Sequence, residues 1–309
     1  MAANNKSRFI TVDAEQITFG VEIECFLPDS YLWENHIRIG RYHHGYALPA
    51  PFPPLWETQA DSSLRNCPAG YTPLEIVSPV LHGSQGISEI VQIFDLLNAA
   101  EAKINSTCGF HVHVGVASLL GESPETSPVM VRFLHRILNL VSHHEFGIYA
   151  TINSPERMRN DYCKTVKTRD ENMLIATTDD LDLVKERKIE DRYHTLNLCN
   201  LFNSKQTIEF RIFAATLNSI KAIGYITTAL GLCHRAAQVP QSPKFDFQLC
   251  CPEWQEAGDE LLQALGQTQR KPGSARIPYG WPKATWIAYG EQVTKLQQRC
   301  ISVFANRPH

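Results

Sequence analysis

The stretch Cys108-Gly109-Phe110-His111-Val112-His113-Val114-Gly115 alternates apolar residues with histidine. Its alternation predicts a β-strand with the phenylalanine and the two valines on one face. His111 and His113 then share the opposite face, about 7 Å apart along the strand. The glycines at both ends permit a tight turn or the close approach of a ligand. One His-x-His pair is weak evidence for a site, so the interpretation depends on the other strands.

Two further stretches repeat this design with charged residues. They are Phe19-Gly20-Val21-Glu22-Ile23-Glu24-Cys25-Phe26 and Thr207-Ile208-Glu209-Phe210-Arg211-Ile212-Phe213. Alternation places Glu22 with Glu24, and Glu209 with Arg211, on the face opposite the apolar residues. One such pair is typical of a strand face exposed to solvent. Three such strands together predict a single sheet whose polar face is a site suited to a divalent cation and a phosphate group.

Two shorter stretches, 56–64 and the more apolar 73–79, are predicted to add strands to this sheet. They bring Asp61 and Glu75 as candidates for the acidic site. Taken alone, each is more commonly a turn or surface carboxylate. Proline at both ends of the second stretch is typical of an edge strand or a strand end.

Apolar periodicity predicts helices at about 84–105, 129–150, 219–237, 253–267 and 284–304. Ser84 or Ser88 is expected to cap the first, and Asn218 or Ser219 the third. Histidines His135, His143 and His144 on the second helix are interpreted as packing or surface residues.

Two segments are predicted to lack regular structure. Residues 28–56, rich in proline, histidine and aromatic residues, favour an irregular insertion, either beside the site for substrate recognition or as a plain surface loop. Residues 151–191 carry the densest charge and indicate either a solvated loop or a connection that closes over a phosphate. We therefore predict a main domain at 1–239 with these two insertions, and a helical appendage at 240–309 packed on it.

The composition narrows the class of protein. The chain has 309 residues, of which 43% are hydrophobic and 20% charged, enough for a substantial core. Its formal net charge of -3 gives no broad basic field, so no nucleic-acid partner is indicated. No stretch resembles a signal peptide or a membrane span of about 18 apolar residues. Nine cysteines without paired zinc spacing favour a reducing cytoplasm, and the oligomeric state is not indicated.

At these motifs the sequence resembles the putative amidoligase family, a branch of the glutamine synthetase and glutamate–cysteine ligase superfamily. The matching segments, in the family's order, are 20–24, 61–64, 75–79, 108–115, Arg192-Tyr193 with Asn197, 207–213 and 216–218. Residues 61–64 read Asp-Ser-Ser-Leu where the family has Asp-Gly-Ser-Leu, so Ser62 stands where the family has glycine. The resemblance covers about 17–237 and leaves the C-terminal 70 residues outside.

The resemblance implies an α+β fold, with a glutamine synthetase-like antiparallel sheet, helices packed on one face, and an ATP and metal site on the other. It implies a ligase that joins a carboxylate to an amine through an acyl phosphate, with a small molecule or a peptide supplying each group. Mg²⁺ suits carboxylate and phosphate oxygens, and Mn²⁺ accepts the same ligands with imidazole.

The resemblance also implies roles for individual residues. One metal is assigned to Glu22, His111 and Glu209, and a second to Glu24 and Glu75 with Asp61. His113 and Arg211 are expected to face the nucleotide phosphates, and Arg192 to contact phosphate or the acyl phosphate. Asn197 is expected to position substrate. Arg211, Arg192 and Glu75 are the candidate catalytic residues.

Two alternatives remain open from the sequence. One is a zinc hydrolase that uses His111, His113 and one glutamate, with water at the open position. That function leaves Glu24, Glu75 and Arg211 without a clear role. The other is a non-catalytic nucleotide- and metal-binding module of the same fold.

Overall fold

The structure is a computed structural model that describes residues 16–125, 129–152, 157, 159–168, 178, 180–186, 192–238, 244, 246 and 254–265. The predicted helix near 284–304, and most of the predicted appendage, lie outside these residues.

In the described residues, eight strands form one sheet in which every strand pairing is antiparallel. The strands are β1 (Thr18–Pro28), β2 (Tyr46–Ala47), β3 (Glu57–Gln59), β4 (Tyr71–Val77), β5 (Leu81–His82), β6 (Phe110–Gly115), β7 (Leu196–Asn197) and β8 (Thr207–Phe210). Their order is β2-β3-β4-β1-β6-β8-β7, with β5 paired to the start of β1. The three motif strands β1, β6 and β8 are therefore neighbours at the centre of the sheet.

Seven α-helices accompany the sheet in the described residues. They are α1 (Asp29–Glu34), α2 (Gly83–Ala99), α3 (Val116–Leu120), α4 (Met130–Ile152), α5 (Leu181–Glu186), α6 (Ser219–Gln238) and α7 (Trp254–Ala264). A short 3-10 helix spans Val166–Thr168. The predicted α+β class is confirmed.

The helices cover the apolar face of the sheet. Phe110 of β6 contacts Phe94 of α2, with ring centroids 6.2 Å apart, and Tyr225 of α6, 5.9 Å apart. Tyr225 also stacks on Phe213, just beyond β8, at 4.7 Å. All four rings are fully or almost fully buried, so they form the centre of the core between sheet and helices. The opposite face is left to the polar residues of the strands.

The boundaries of β3 and α2 differ from the sequence predictions. The stretch 56–64 forms only the short β3, because Asp61 accepts a hydrogen bond from the Ser63 amide at 2.6 Å and turns the chain. Helix α2 ends at Ala99 rather than near 105, and its N-cap is His82 without a side-chain bond, so the serine cap was wrong. Asn218 does cap α6, since its side chain accepts from the Lys221 amide at 3.0 Å.

The two predicted irregular segments contain some regular structure. Residues 28–56 include α1 and β2 within an otherwise irregular path. The described parts of 151–191 include the end of α4, the 3-10 helix and α5, and the remainder lies outside the described residues.

Helix α7 packs along α4, where a methyl group on Gly147 would lie 2.3 Å from the Ala257 carbonyl oxygen. This close approach requires glycine. The domain boundary at residue 239 stays a prediction. In the described part of the chain, every helix is too short or too polar to cross a membrane.

Candidate active site

The polar face of the sheet carries three rows of side chains that run across the strands. From the strand register, the rows are Gln59–Glu75–Glu24, Glu22–His111 and His113–Glu209–Asn197. Residues opposite one another on one face of an antiparallel sheet have their Cβ atoms about 5 Å apart. The register therefore brings together groups from six strands of the sheet.

Glu22 lies between the two histidines of β6. Its Oε2 is 3.0 Å from Nδ1 of His111, and its Oε1 is 3.0 Å from Nε2 of His113. His111 also lies 3.5 Å from Glu24 and 3.4 Å from Glu209. Burial would raise the pKa of Glu22, but the two histidines outweigh it and hold that pKa well below the usual range.

The His113 imidazole is buried, and its Nε2 faces Oε1 of Glu22 at 3.0 Å. Its contact with Glu22 is close but has poor hydrogen-bond geometry, so Nε2 has no hydrogen-bond partner among the described residues. Burial lowers the pKa of His113, yet Glu22 and Glu209 together raise it above its usual value. This nitrogen is available to donate a hydrogen bond or to bind a ligand.

Glu24 and Glu75 are two carboxylates that lie opposite one another on β1 and β4. Both are 3% exposed. Glu24 accepts a hydrogen bond from the Gly109 amide at 2.5 Å, and Glu75 accepts one from Gln59 at 3.0 Å. Burial raises the pKa of Glu24, and burial with the charges of Glu22 and Glu24 raises that of Glu75 well above its usual value. Crowded buried carboxylates of this kind favour a cation.

Glu209 is held by one partner on each oxygen. Arg211 donates to Oε1 at 2.5 Å and Asn197 donates to Oε2 at 2.6 Å. Burial would raise the pKa of Glu209, but Arg211 and His113 lower it. Arg211 follows directly after β8, and its Nε donates to the Tyr162 carbonyl at 3.3 Å.

Potential metal ligands fall into three trios in the described residues. They are Glu22–His113–Glu209, Glu22–Glu75–His111 and Glu24–Asp61–Glu75, each with its ligand atoms within 4.8 Å of one another. The third trio is the set predicted for a second metal. The first metal was assigned to Glu22, His111 and Glu209, whereas the trios place Glu209 with His113. Metal binding by any of them stays a prediction.

Arg192 also lines the site. It donates to the hydroxyl of Tyr42 and, at 3.4 Å, to that of Tyr193, and its guanidinium lies 5.2 Å from each ring centroid. Tyr42 comes from the irregular segment 28–56, which thus reaches the site. Sequence reasoning missed Tyr42 and Gln59. The aromatic composition of the segment and the position of Gln59 in a predicted strand were the available signals.

Arg192 and the polar side chains of the sheet line one cavity of about 480 Å³. It is lined by Glu22, Tyr42, His43, Gln59, Asp61, Ser62, Ser63, Arg65, Glu75, His111, Tyr162, Arg192, Tyr193, Asn197, Cys199, Asn200, Lys205, Glu209 and Arg211. Glu24 and His113 do not line the cavity but belong to the metal trios, whose carboxylates and imidazoles we call the acidic floor. The lining therefore combines carboxylates with arginine, lysine and tyrosine side chains.

Comparison with known proteins identifies a family but little detail. Among curated proteins, none matches this sequence. A crystal structure of a bifunctional glutathione synthetase from Pasteurella multocida matches with a TM-score of 0.45 and 12% identity. The match covers 94% of this chain and 47% of that one, so the chain spans about half the length of that protein. A likeness this distant carries no argument about the site.

A family model described as "Putative amidoligase enzyme" matches residues 15–233. These residues include every strand of the sheet and every predicted site residue from Glu22 to Arg211. The segments that carry the site and the segments that carry the family match are therefore the same, and the chain belongs to the putative amidoligase family.

Proposed function

We propose that the protein is an ATP-dependent carboxylate–amine ligase that forms an amide bond through an acyl phosphate at a divalent-metal site. Family membership supports ligase activity. The observation that carries the finer proposal is that a cluster of carboxylates and three arginines, Arg65, Arg192 and Arg211, belong to one cavity. This combination suits a metal-bound polyphosphate.

The described residues fit a divalent cation. Glu24 and Glu75 are buried close together with raised pKa values; Gln59 donates to Glu75 at 3.0 Å, and the His111 imidazole lies 3.5 Å from Glu24. No lysine or arginine donates a hydrogen bond to either carboxylate within the described chain. With Asp61 they offer hard oxygen ligands, which Mg²⁺ and Mn²⁺ prefer. A bound cation would supply charge neutralisation for phosphoryl transfer.

The protein's own residues would then orient the reactants. Arg211 is fixed by Glu209 and by the Tyr162 carbonyl, so its planar fork is pre-organised toward the cavity. His113 offers its Nε2, which makes no hydrogen bond of good geometry among the described residues and lies 3.0 Å from Glu22. Arg192, held between two tyrosine rings, is the candidate contact for the phosphate or the acyl phosphate. Asn197 binds Glu209, which supports a role in orienting that carboxylate besides the predicted contact with substrate.

The geometry disfavours the zinc hydrolase. The trios in the described residues place His111 and His113 in different groups, each with Glu22, rather than in one two-histidine site. A binding module without turnover differs from the ligase only in activity.

The test is ATP consumption by the full chain with Mg²⁺ or Mn²⁺ and pooled carboxylic acids and amines. The ligase requires ADP release that depends on the metal and on both pools. ATP binding without ADP in any pool favours the binding module, and zinc in the purified protein with ATP-independent hydrolysis favours the hydrolase.

A further inference from the structure

Arg157 lies behind the site and was not predicted to take part in it. It belongs to the charged segment 151–191, for which solvent exposure or closure over a phosphate was expected. Its side chain instead turns inward, and the residue is only 5% exposed. A buried arginine in such a position needs a reason.

The guanidinium of Arg157 joins the ends of two site strands. Nε donates to the Ile212 carbonyl at 3.1 Å and Nη2 to the Arg211 carbonyl at 2.9 Å, just beyond β8. Nη1 donates to the Cys108 carbonyl at 3.4 Å, just before β6. One planar group therefore fixes the spacing between the strand that carries His111 and the strand that carries Glu209.

The same guanidinium borders the acidic floor. A methyl group on Gly109 would lie 3.2 Å from Nη2 of Arg157, 2.9 Å from Nε2 of His111 and 3.4 Å from Oε2 of Glu24. All three side chains thus surround the space above Gly109, which no other residue type would leave open. The Gly109 amide, between the Cys108 carbonyl and this space, donates to Glu24.

We propose that Arg157 is a positioning residue for the metal site, which sets the placement of His111 and Glu24 by clamping the ends of β6 and β8. This inference rests on the proposed function, since it concerns the metal of that site. Lysine cannot replace arginine here, because a single ammonium on a flexible stem does not span three carbonyls with fixed geometry.

The test is Mn²⁺ binding to the full-length protein without nucleotide, measured by titration calorimetry and by the electron paramagnetic resonance of free Mn²⁺. Arg157→Lys and Arg157→Met are compared with the wild type. We expect both variants to bind Mn²⁺ about 10–100-fold more weakly, the range typical of lost outer-shell support. The Lys variant keeps the charge, so it decides the outcome where the Met variant does not fold.

A matched control separates positioning from general stability. Arg235 also donates to a backbone carbonyl, that of Ala264 at 2.8 Å, between α6 and the end of α7, but it is exposed and lies away from the metal trios. Arg235→Lys should lower the melting temperature without changing Mn²⁺ affinity.

Three results would overturn the inference. Unchanged Mn²⁺ affinity in folded Arg157→Lys would reduce Arg157 to a structural role. Tighter binding by Arg157→Met with no change in Arg157→Lys would show that only its charge matters. Absence of Mn²⁺ binding by the wild type would instead overturn the proposed metal site, and the inference with it.

Discussion

Glu22 of β1 lies directly opposite His111 of β6, and its Oε2 is 3.0 Å from the His111 Nδ1. The same carboxylate reaches His113 with its other oxygen. A single glutamate thus connects both histidines of the motif strand, and two of the three possible metal trios contain it. The acidic floor is organised around this residue, and the activity should depend on the carboxylates that flank it.

Glu209→Gln should keep the fold and lower metal-dependent ATP turnover by about 100-fold or more, because the amide cannot replace a carboxylate ligand. Steady-state ADP release checks this, with circular dichroism to verify folding. Glu260→Gln, a change on the exposed part of α7, is the control. If Glu209 serves only as the ion-pair partner of Arg211, the variant will lose thermal stability and retain its turnover.

Glu75→Gln should stabilise the metal-free protein while weakening metal binding. The folded-state pKa of Glu75 lies well above its ordinary value, so ionising this group at neutral pH costs stability that a neutral amide does not. A gain of about 1 kcal/mol would raise the melting temperature by about 2–4 °C. Melting curves with chelator and with millimolar Mn²⁺ check both halves. A variant that melts lower with chelator, or that gains as much from Mn²⁺ as the wild type, contradicts the assignment.

Tyr42→Ala should raise the KM of the substrate that contacts Arg192 by about 10-fold, with a smaller effect on kcat. The tyrosine ring lies against the guanidinium and helps to fix it, and such stacking contributes about 1 kcal/mol. Tyr42→Phe keeps the ring, so its KM should lie between those of the wild type and Tyr42→Ala. Tyr46→Ala, an exposed tyrosine of the same segment, is the control. Equal effects of the Tyr42 and Tyr46 changes would remove Tyr42 from the site wall.

His144 should make the fold sensitive to acid. It is buried on α4, its Nδ1 has no hydrogen-bond partner among the described residues, and burial, with His143 and Arg235, lowers its pKa to about 3. Between pH 6.5 and about 3 the unfolded chain binds a proton that the folded chain does not. Stability present above pH 6.5 is therefore lost as the pH falls.

The expected loss from His144 between pH 7 and pH 5 is about 2 kcal/mol. Urea unfolding at both pH values measures this loss. Between them, the free energy of unfolding of His144→Leu should fall by about 2 kcal/mol less than that of the wild type. His82→Gln, on an exposed histidine, should behave as the wild type. An identical pH dependence in wild type and His144→Leu would contradict the shift.

Alternation along the strands was enough to predict which site residues share a face. Glu22 with Glu24, His111 with His113, and Glu209 with Arg211 follow from the two-residue period, and the structure places each pair toward the polar side. A covered apolar face and a polar face follow from the same pattern.

Alternation does not determine register, and the register decides which histidine meets which glutamate. His113 rather than His111 lies opposite Glu209, although His111 still approaches Glu209 to 3.4 Å, and the trio Glu22–His111–Glu209 stays a prediction. Tyr42 and Arg157 come from irregular segments. Their approach to the site depends on tertiary contacts that no local period records.

The most direct test of the central claim is mass spectrometry of the products formed from ATP, Mg²⁺ and pooled acids and amines. A carboxylate–amine ligase predicts ADP together with a new species whose mass equals acid plus amine minus water, absent with Glu209→Gln. ATP binding by the wild type with no such species, across acids and amines of every class in the pools, would contradict the ligase and leave a binding module in its place.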